Sequence, residues 1–217
     1  MPSENYLRDA KALCETHNVL FIADEVQTGI ARTGRLLATC GNCSCEKRDC
    51  SGTPDVKPDI LILGKAISGG AYPVSAVLAN DPIMKVITPG SHGSTFGGNP
   101  IAAAVAMAAL EVVVDEKLAE NAYRLGIIFR AELNKFIQTS TICNEVRGKG
   151  LLNAILINDD EQSDTAWNIC MRLRDNGLLA KPTHGNIIRF APPLVMTQEQ
   201  LHECISIIIT TLKEFEV

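Results

Sequence analysis

Asp24 and Lys65 are the residues whose type and setting point most directly to chemistry. Each is the first polar side chain after an apolar run: V-L-F-I-A-D, Val19 to Asp24, and I-L-I-L-G-K, Ile60 to Lys65. Short runs of Val, Ile and Leu bounded by turn residues read as buried parallel strands. Ligands of open α/β sheets gather beyond the carboxyl ends of the strands, so the acid and the amine are expected to face one pocket. A lysine amine can form a Schiff base with a carbonyl, and a carboxylate can keep a ring nitrogen protonated. A buried pair of that kind suits pyridoxal phosphate. Each residue also has a plain structural reading, Asp24 as a helix N-cap and Lys65 as a strand-end lysine reaching for water.

Other stretches add donors. P-G-S-H-G-S-T-F-G-G-N-P, Pro89 to Pro100, is rich in glycine and hydroxyls and leads into a helix. Backbone N–H groups and Ser or Thr hydroxyls in such a loop can cradle a phosphate, although Ser94 and Thr95 also suit an ordinary turn. Arg189 lies in the apolar run I-I-R-F-A and needs a partner if it is buried; a structural ion pair would satisfy it. His92 and His184 stand in glycine-flanked loops and read as turn or rim residues. Cys40, Cys43, Cys45 and Cys50 fall within eleven residues. Four thiols can hold zinc tetrahedrally, but C-x-x-C-x-C-x4-C is no regular finger spacing, and a surface insertion with exposed thiols is the favoured reading.

The elements that must position these groups follow the hydrophobic period. Residues 5–17 read as an amphipathic helix closed by Asn18 in a left-handed cap. Strands are expected at 19–24, 59–63 and 74–79, with an irregular loop over 40–57. Asp81-Pro82 opens a short helix. Residues 101–114 form a helix apolar nearly all round, and such a helix is buried. Beyond about residue 115 the pattern changes: a charged amphipathic helix at 116–137, a strand–turn–strand at 145–157, a helix at 163–176 ending at Gly177, short strands over 178–194, and a last helix from Thr197 to Phe215, with Thr197 and Glu199 or Gln200 as its start signal. Strands mixed with helices suggest a smaller α+β domain there. The 217 residues, 46% apolar and with a net charge of −5, are those of an ordinary globular protein. The charge gives no reason to expect nucleic acid or an anionic membrane as partner. No apolar run is long enough to span a bilayer, and the opening residues lack the apolar core of a signal peptide. Cys14, Cys143, Cys170 and Cys204 sit among apolar or helical neighbours and read as reduced packing thiols.

D-E-V-Q-T-G, G-K-A-I-S-G-G and H-G-S-T-F-G-G-N-P, in that order, resemble the class III aminotransferases of the fold-type-I pyridoxal phosphate family. F-I-A-D-E-V-Q-T-G-I-A-R-T-G-R, E-V-R-G-K-G-L-L-N-A-I and L-R-D-N-G-L-L-A-K-P-T-H-G-N-I-I-R-F-A-P-P-L are similar to the ornithine-specific branch. The resemblance covers all but residues 40–54. It implies an α/β fold: part of the large cofactor-binding domain over 1–115, a mostly parallel sheet with helices, then a small C-terminal α+β domain over 116–217. It implies Lys65 as the Schiff-base and proton-shuttling lysine, Asp24 as partner of the pyridine nitrogen, and Gln27 as a bond to the phenolic oxygen. Ser94 and Thr95 become phosphate ligands reaching across a dimer interface, and Arg189 the fork that receives a substrate carboxylate. It further implies pyridoxal 5'-phosphate as cofactor, L-ornithine and 2-oxoglutarate as substrates, a homo-oligomer with the site at a subunit interface, and a mitochondrial address, with the cytoplasm as alternative.

Two features depart from that family. Only 18 residues precede Val19, where the family places a substantial half of its large domain. The chain therefore resembles a C-terminal half, and its strands are expected to lack neighbours and to leave apolar faces exposed. Weak cofactor binding and little or no transaminase activity are expected of it alone. The segment between Asp24 and Lys65 is also longer than the family pattern, by the cysteine-bearing insertion. Three readings compete with the ornithine enzyme: an acetylornithine or ω-amino acid aminotransferase, a non-catalytic partner of full-length subunits, and a zinc module at Cys40 to Cys50.

Overall fold

The computed structural model describes residues 2–3, 5–40 and 56–216. They form two compact units, Pro2–Ala119 and the residues from Glu120 onward.

The first unit opens with α1 (Tyr6–Thr16). Asn18 closes it in the left-handed region, φ 51°, a conformation asparagine tolerates. β1 (Ile22–Asp24) and β2 (Ile60–Leu63) run parallel, Ile22 opposite Ile60 and Asp24 opposite Ile62. β3 (Ala76–Ala79) pairs antiparallel with the other side of β2, so the three-stranded sheet is mixed, in the order β1-β2-β3. The apolar run from Val19 becomes regular strand only at Ile22, because its partner starts at Ile60 and Asp59 occupies the space before it. The Phe21 N–H donates to the Asp59 carboxylate at 2.7 Å, and the Phe21 carbonyl accepts from the Asp59 N–H at 2.9 Å. Lys11 of α1 donates to the same carboxylate at 2.9 and 3.0 Å, tying the helix to the strand starts. The Phe21 amide and then Lys11 hold the Asp59 carboxyl below the usual aspartate range.

α2 (Asp81–Met84) carries Pro82 in its first turn. α3 (Pro100–Asp115) is capped by Asn99, whose side-chain oxygen accepts from the Ala102 N–H at 2.9 Å. The expectation that this apolar helix is buried does not hold in this chain. Only Ala102 and Val113 are buried, while Ile101, Met107 and Val114 are 60–63% exposed. Among the described residues, cover comes to one side, where the turn after β2 brings Gly69 within van der Waals reach of Ala109. A helix apolar all round is fitted to neighbours all round. α1 likewise buries none of its residues.

α4 (Leu118–Ile137) leads into the second unit, a sheet of β4 (Cys143–Lys149), β5 (Leu152–Ile157), β6 (Lys181–Thr183) and β7 (Ile187–Phe190) in the order β4-β5-β7-β6, every pair antiparallel. α5 (Thr165–Asp175) and α6 (Gln198–Lys213) complete it. β5 alternates strictly between half-buried and buried positions, the period that sends one face inward. Asn153, Ile155 and Ile157 face in, where the two apolar ones meet Ile188 and Phe190 of β7, Leu125, Phe129 and Leu133 of α4, and Leu201, Ile208 and Leu212 of α6. The Phe129 and Phe190 rings tilt together, centroids 5.6 Å apart. Thr197 and Gln200 form a full capping box at the head of α6. Gly126 lets α4 lie against the turn between β4 and β5: a Cβ there would fall 1.9 Å from the Gly150 carbonyl oxygen.

Candidate active site

Asp24 ends β1 opposite Ile62, and Lys65 lies two residues beyond Leu63, the last residue of β2. Two parallel neighbours thus deliver an acid and an amine to one edge of the sheet. Gly64 is extended (φ −173°), and Lys65 opens a short 3-10 turn, Lys65–Ser68. Lys65 itself is held in the left-handed region, φ 53°, a conformation that costs a non-glycine residue about 1 kcal/mol or more.

Both side chains are exposed, whereas the apolar runs suggested a buried pair. Strand alternation explains Asp24. Neighbouring residues of a strand point to opposite faces, and in β1 Ala23 and the following Glu25 turn inward, 8% and 2% exposed, while Ile22 and Asp24 turn outward. The buried acid at this strand end is Glu25. Its Oε1 accepts from the Thr39 N–H at 2.9 Å and the Thr39 hydroxyl at 2.8 Å, and its Oε2 accepts from the Ala38 N–H. Sequence reasoning missed it because two adjacent acids at a strand end look alike. The signal was present in the period-two spacing from Ala23.

The Asp24 carboxylate accepts from the Val26 N–H at 3.0 Å, which folds it over the turn that follows. Gln27 is exposed on that turn. The chain then passes through Ile30 and Ala31, both left-handed (φ 51° and 67°) and both buried. Arg32 and Arg35 are half-buried. Cys40 is buried, and Cys43, Cys45 and Cys50 lie outside the described residues. Among the described residues no three His, Cys, Asp or Glu side chains group around a possible metal ion.

Ser94 and Thr95 are exposed in the loop before α3. The Ser94 hydroxyl oxygen accepts from the Gly97 N–H at 3.0 Å, and the Asn99 amide donates to the Phe96 carbonyl at 2.8 Å, so the loop is folded on itself, with the Ser94 hydroxyl turned onto its backbone. Gly93 and Gly98 leave room at the backbone, where a Cβ would touch nothing within 4 Å, whereas a Cβ at Gly97 would stand 2.9 Å from the Ser94 Cβ. Arg189 belongs to the second unit. It is half-buried on β7, on the opposite face from Ile188 and Phe190, with Ala154 and Lys181 as its cross-strand neighbours. His92 and His184 are exposed, His184 in the left-handed region.

In chemical terms the first unit offers an amine, a carboxylate and a hydroxyl-bearing loop with open backbone. A flat ring bearing an aldehyde, a basic nitrogen and a phosphate calls for that donor set, and these residues fit it.

The family model described as "Aminotransferase class-III" matches residues 1–212. The mitochondrial ornithine aminotransferase of Drosophila ananassae is 58% identical over 212 residues, covering 98% of this chain and 45% of its own length. The mitochondrial enzyme of that name from Rattus norvegicus is 54% identical over 215 residues, 99% of this chain and 46% of its own. Among solved structures, the acetylornithine aminotransferase of Elizabethkingia anophelis superposes with a TM-score of 0.89 at 64% identity, over 99% of this chain and 53% of that one. The ornithine aminotransferase of Plasmodium yoelii superposes with a TM-score of 0.90 at 49% identity, over 100% and 53%. The chain spans about half the length of the relatives it matches.

Proposed function

The chain belongs to the class III aminotransferases, and on that premise we propose that it forms the lysine-bearing half of an ornithine aminotransferase, whose reaction moves the terminal amino group of L-ornithine to 2-oxoglutarate and yields glutamate 5-semialdehyde and glutamate. One observation supports the reading: Asp24 ends one of two adjacent parallel strands and Lys65 opens the turn just beyond the other, at the same end of the sheet. The family's cofactor, pyridoxal phosphate, supplies a carbonyl that captures amines and a protonated ring that draws electrons from the bond being broken. Lys65 would hold it through Nζ, and the same amine would serve as the base that moves a proton on and off the substrate carbon. Asp24 keeps a proton on the ring nitrogen, which its negative charge favours. Gln27 bonds the phenolic oxygen, and Ser94 and Thr95 bind the phosphate in an assembled homo-oligomer. Arg189 receives a substrate carboxylate, for which its planar fork is suited. A mitochondrial setting accompanies this reading, supported by the names of the fly and rat relatives.

The 64% identity to the acetylornithine aminotransferase of Elizabethkingia anophelis favours a second donor, N-acetylornithine. A half-reaction panel would separate the two, with the chain joined to the other half of a relative and presented with each donor in turn.

For the cofactor role, residues 1–217 would be mixed with pyridoxal phosphate, reduced with borohydride and digested. Mass spectrometry should find the label concentrated on Lys65 and lost from that peptide in Lys65→Ala. Labelling spread evenly over the lysines would overturn the assignment. The chain alone is expected to bind weakly, with ornithine turnover at or near background.

A further inference from the structure

We infer that Glu25 is a positioning residue whose buried carboxyl clasps residues 38–39 and so fixes the turn presenting Asp24 and Gln27, an inference that rests on the reading of Asp24 given above. Glu25 is 2% exposed, and three donors from one short turn meet its two oxygens: the N–H groups of Ala38 and Thr39 and the Thr39 hydroxyl. Its backbone is fixed as firmly. Its N–H donates to the Ile62 carbonyl of β2 at 2.9 Å, and its carbonyl accepts from the Gly29 N–H at 3.0 Å.

The turn wraps tightly against this residue. A Cβ at Gly29 would stand 2.9 Å from the Glu25 carbonyl oxygen and 3.0 Å from its Oε2. From Gly29 the chain runs through Ile30 and Ala31, left-handed and buried. Local preference does not hold an isoleucine in that region, so the surroundings must. Fastenings among the described residues include the Thr33 hydroxyl on the Thr28 carbonyl at 3.1 Å, the Ala31 N–H on the Leu36 carbonyl at 3.2 Å, and the clasp of Glu25 at the far end of the loop. Residues 29–40 therefore form a loop that leaves β1 and is pinned back onto its last inward side chain. The Val26 N–H, which holds the Asp24 carboxylate, lies between strand and loop. Releasing the clasp loosens the loop, then the turn, then the orientation of Asp24.

The test compares amide exchange at Val26, Ala38 and Thr39 in the chain and in Glu25→Gln. The amide keeps the shape but replaces one charged oxygen by an N–H₂ donor, set against the Ala38 N–H or the Thr39 N–H, and leaves only a neutral oxygen for the other. All three amides should exchange about tenfold faster or more, the scale of a lost hydrogen bond to a charged acceptor. Faster exchange at Ala38 and Thr39 with Val26 unchanged would overturn the inference, as would no change at all. Should Glu25→Gln not fold, Thr39→Val and Thr39→Ser decide: Val26 should exchange about threefold faster in the valine variant and as in the parent with serine, which keeps the hydroxyl. Equal Val26 rates in both variants would overturn it. A pyridoxal phosphate titration separates this inference from the reading beneath it. The pH dependence of a Lys65-dependent visible band should move in Glu25→Gln in the same direction as in Asp24→Asn. A band whose pH dependence stays at the parent position in Glu25→Gln counts against the clasp. Borohydride labelling no heavier on Lys65 than on the other lysines of the parent chain overturns the cofactor reading, and the exchange rates then judge the clasp alone.

Discussion

At Lys65 the role proposed for the side chain and the conformation of the backbone pull in opposite directions. Lysine gains nothing from a φ of 53°, whereas asparagine adopts that region readily. Lys65→Asn should therefore stabilise the cofactor-free chain by about 1 kcal/mol while abolishing covalent capture of the cofactor; thermal melting and borohydride labelling would read the two effects. Asp59 gives a pH signature. Its carboxyl is held below the usual aspartate range by the Phe21 amide and Lys11, so the folded state binds its proton less readily than the unfolded chain. That stabilisation is complete above the unfolded value near 4 and fades as pH falls through the lower folded value. Urea midpoints between pH 6 and 3 should drop, and Asp59→Asn should flatten the drop. The cysteines act at the other end of the scale. Burial pushes the Cys143 and Cys170 thiols up to about 11. They keep their protons more tightly when folded, so stability should decline as pH climbs from about 9 to about 11, and neither should react with a thiol reagent at pH 7.5 before unfolding.

At the scale of elements, the tightest fit is Gly126 against Gly150. Gly126→Ala favours helix by propensity, yet must push the β4–β5 turn away. A net loss of about 2–3 kcal/mol is expected by chemical denaturation. Helix ends were the most legible part of the sequence: Asn18, the Thr197–Gln200 box and Gly177 each mark a boundary that local chemistry sets. β1 was less so, because its length depends on where a partner forty residues away begins and on Asp59 occupying the approach. α3 was least so. Its composition records what the helix is fitted to touch, and the described chain provides only part of that. At the candidate site, D-E-V-Q and G-K brought out Asp24 and Lys65, but no spacing in the sequence reveals that Thr39 returns to Glu25, since that contact is made by tertiary folding of an irregular loop.

For the molecule as a whole, exposed apolar side chains are distributed unevenly. Most belong to the first unit, from Tyr6, Leu13 and Ile22 through Val77 and Val86 to Met107 and Val114. Among the described residues β1 also keeps one unpaired edge. Such a surface associates with other polypeptide. Light scattering on the purified chain should give a mass that rises with concentration, and co-expression with the other half of a relative should replace that mixture with one defined species; a concentration-independent monomer would contradict this. The second unit is better closed, and α6 ends in a fastening. The Glu216 carboxylate accepts from the Ser140 hydroxyl, the Thr141 N–H and the Thr141 hydroxyl at the entrance to β4. A reporter joined directly after Glu216 would therefore abut a latch. Engineering on this chain should keep Glu216 clear of the junction, or spurious losses of stability will be credited to whatever was attached.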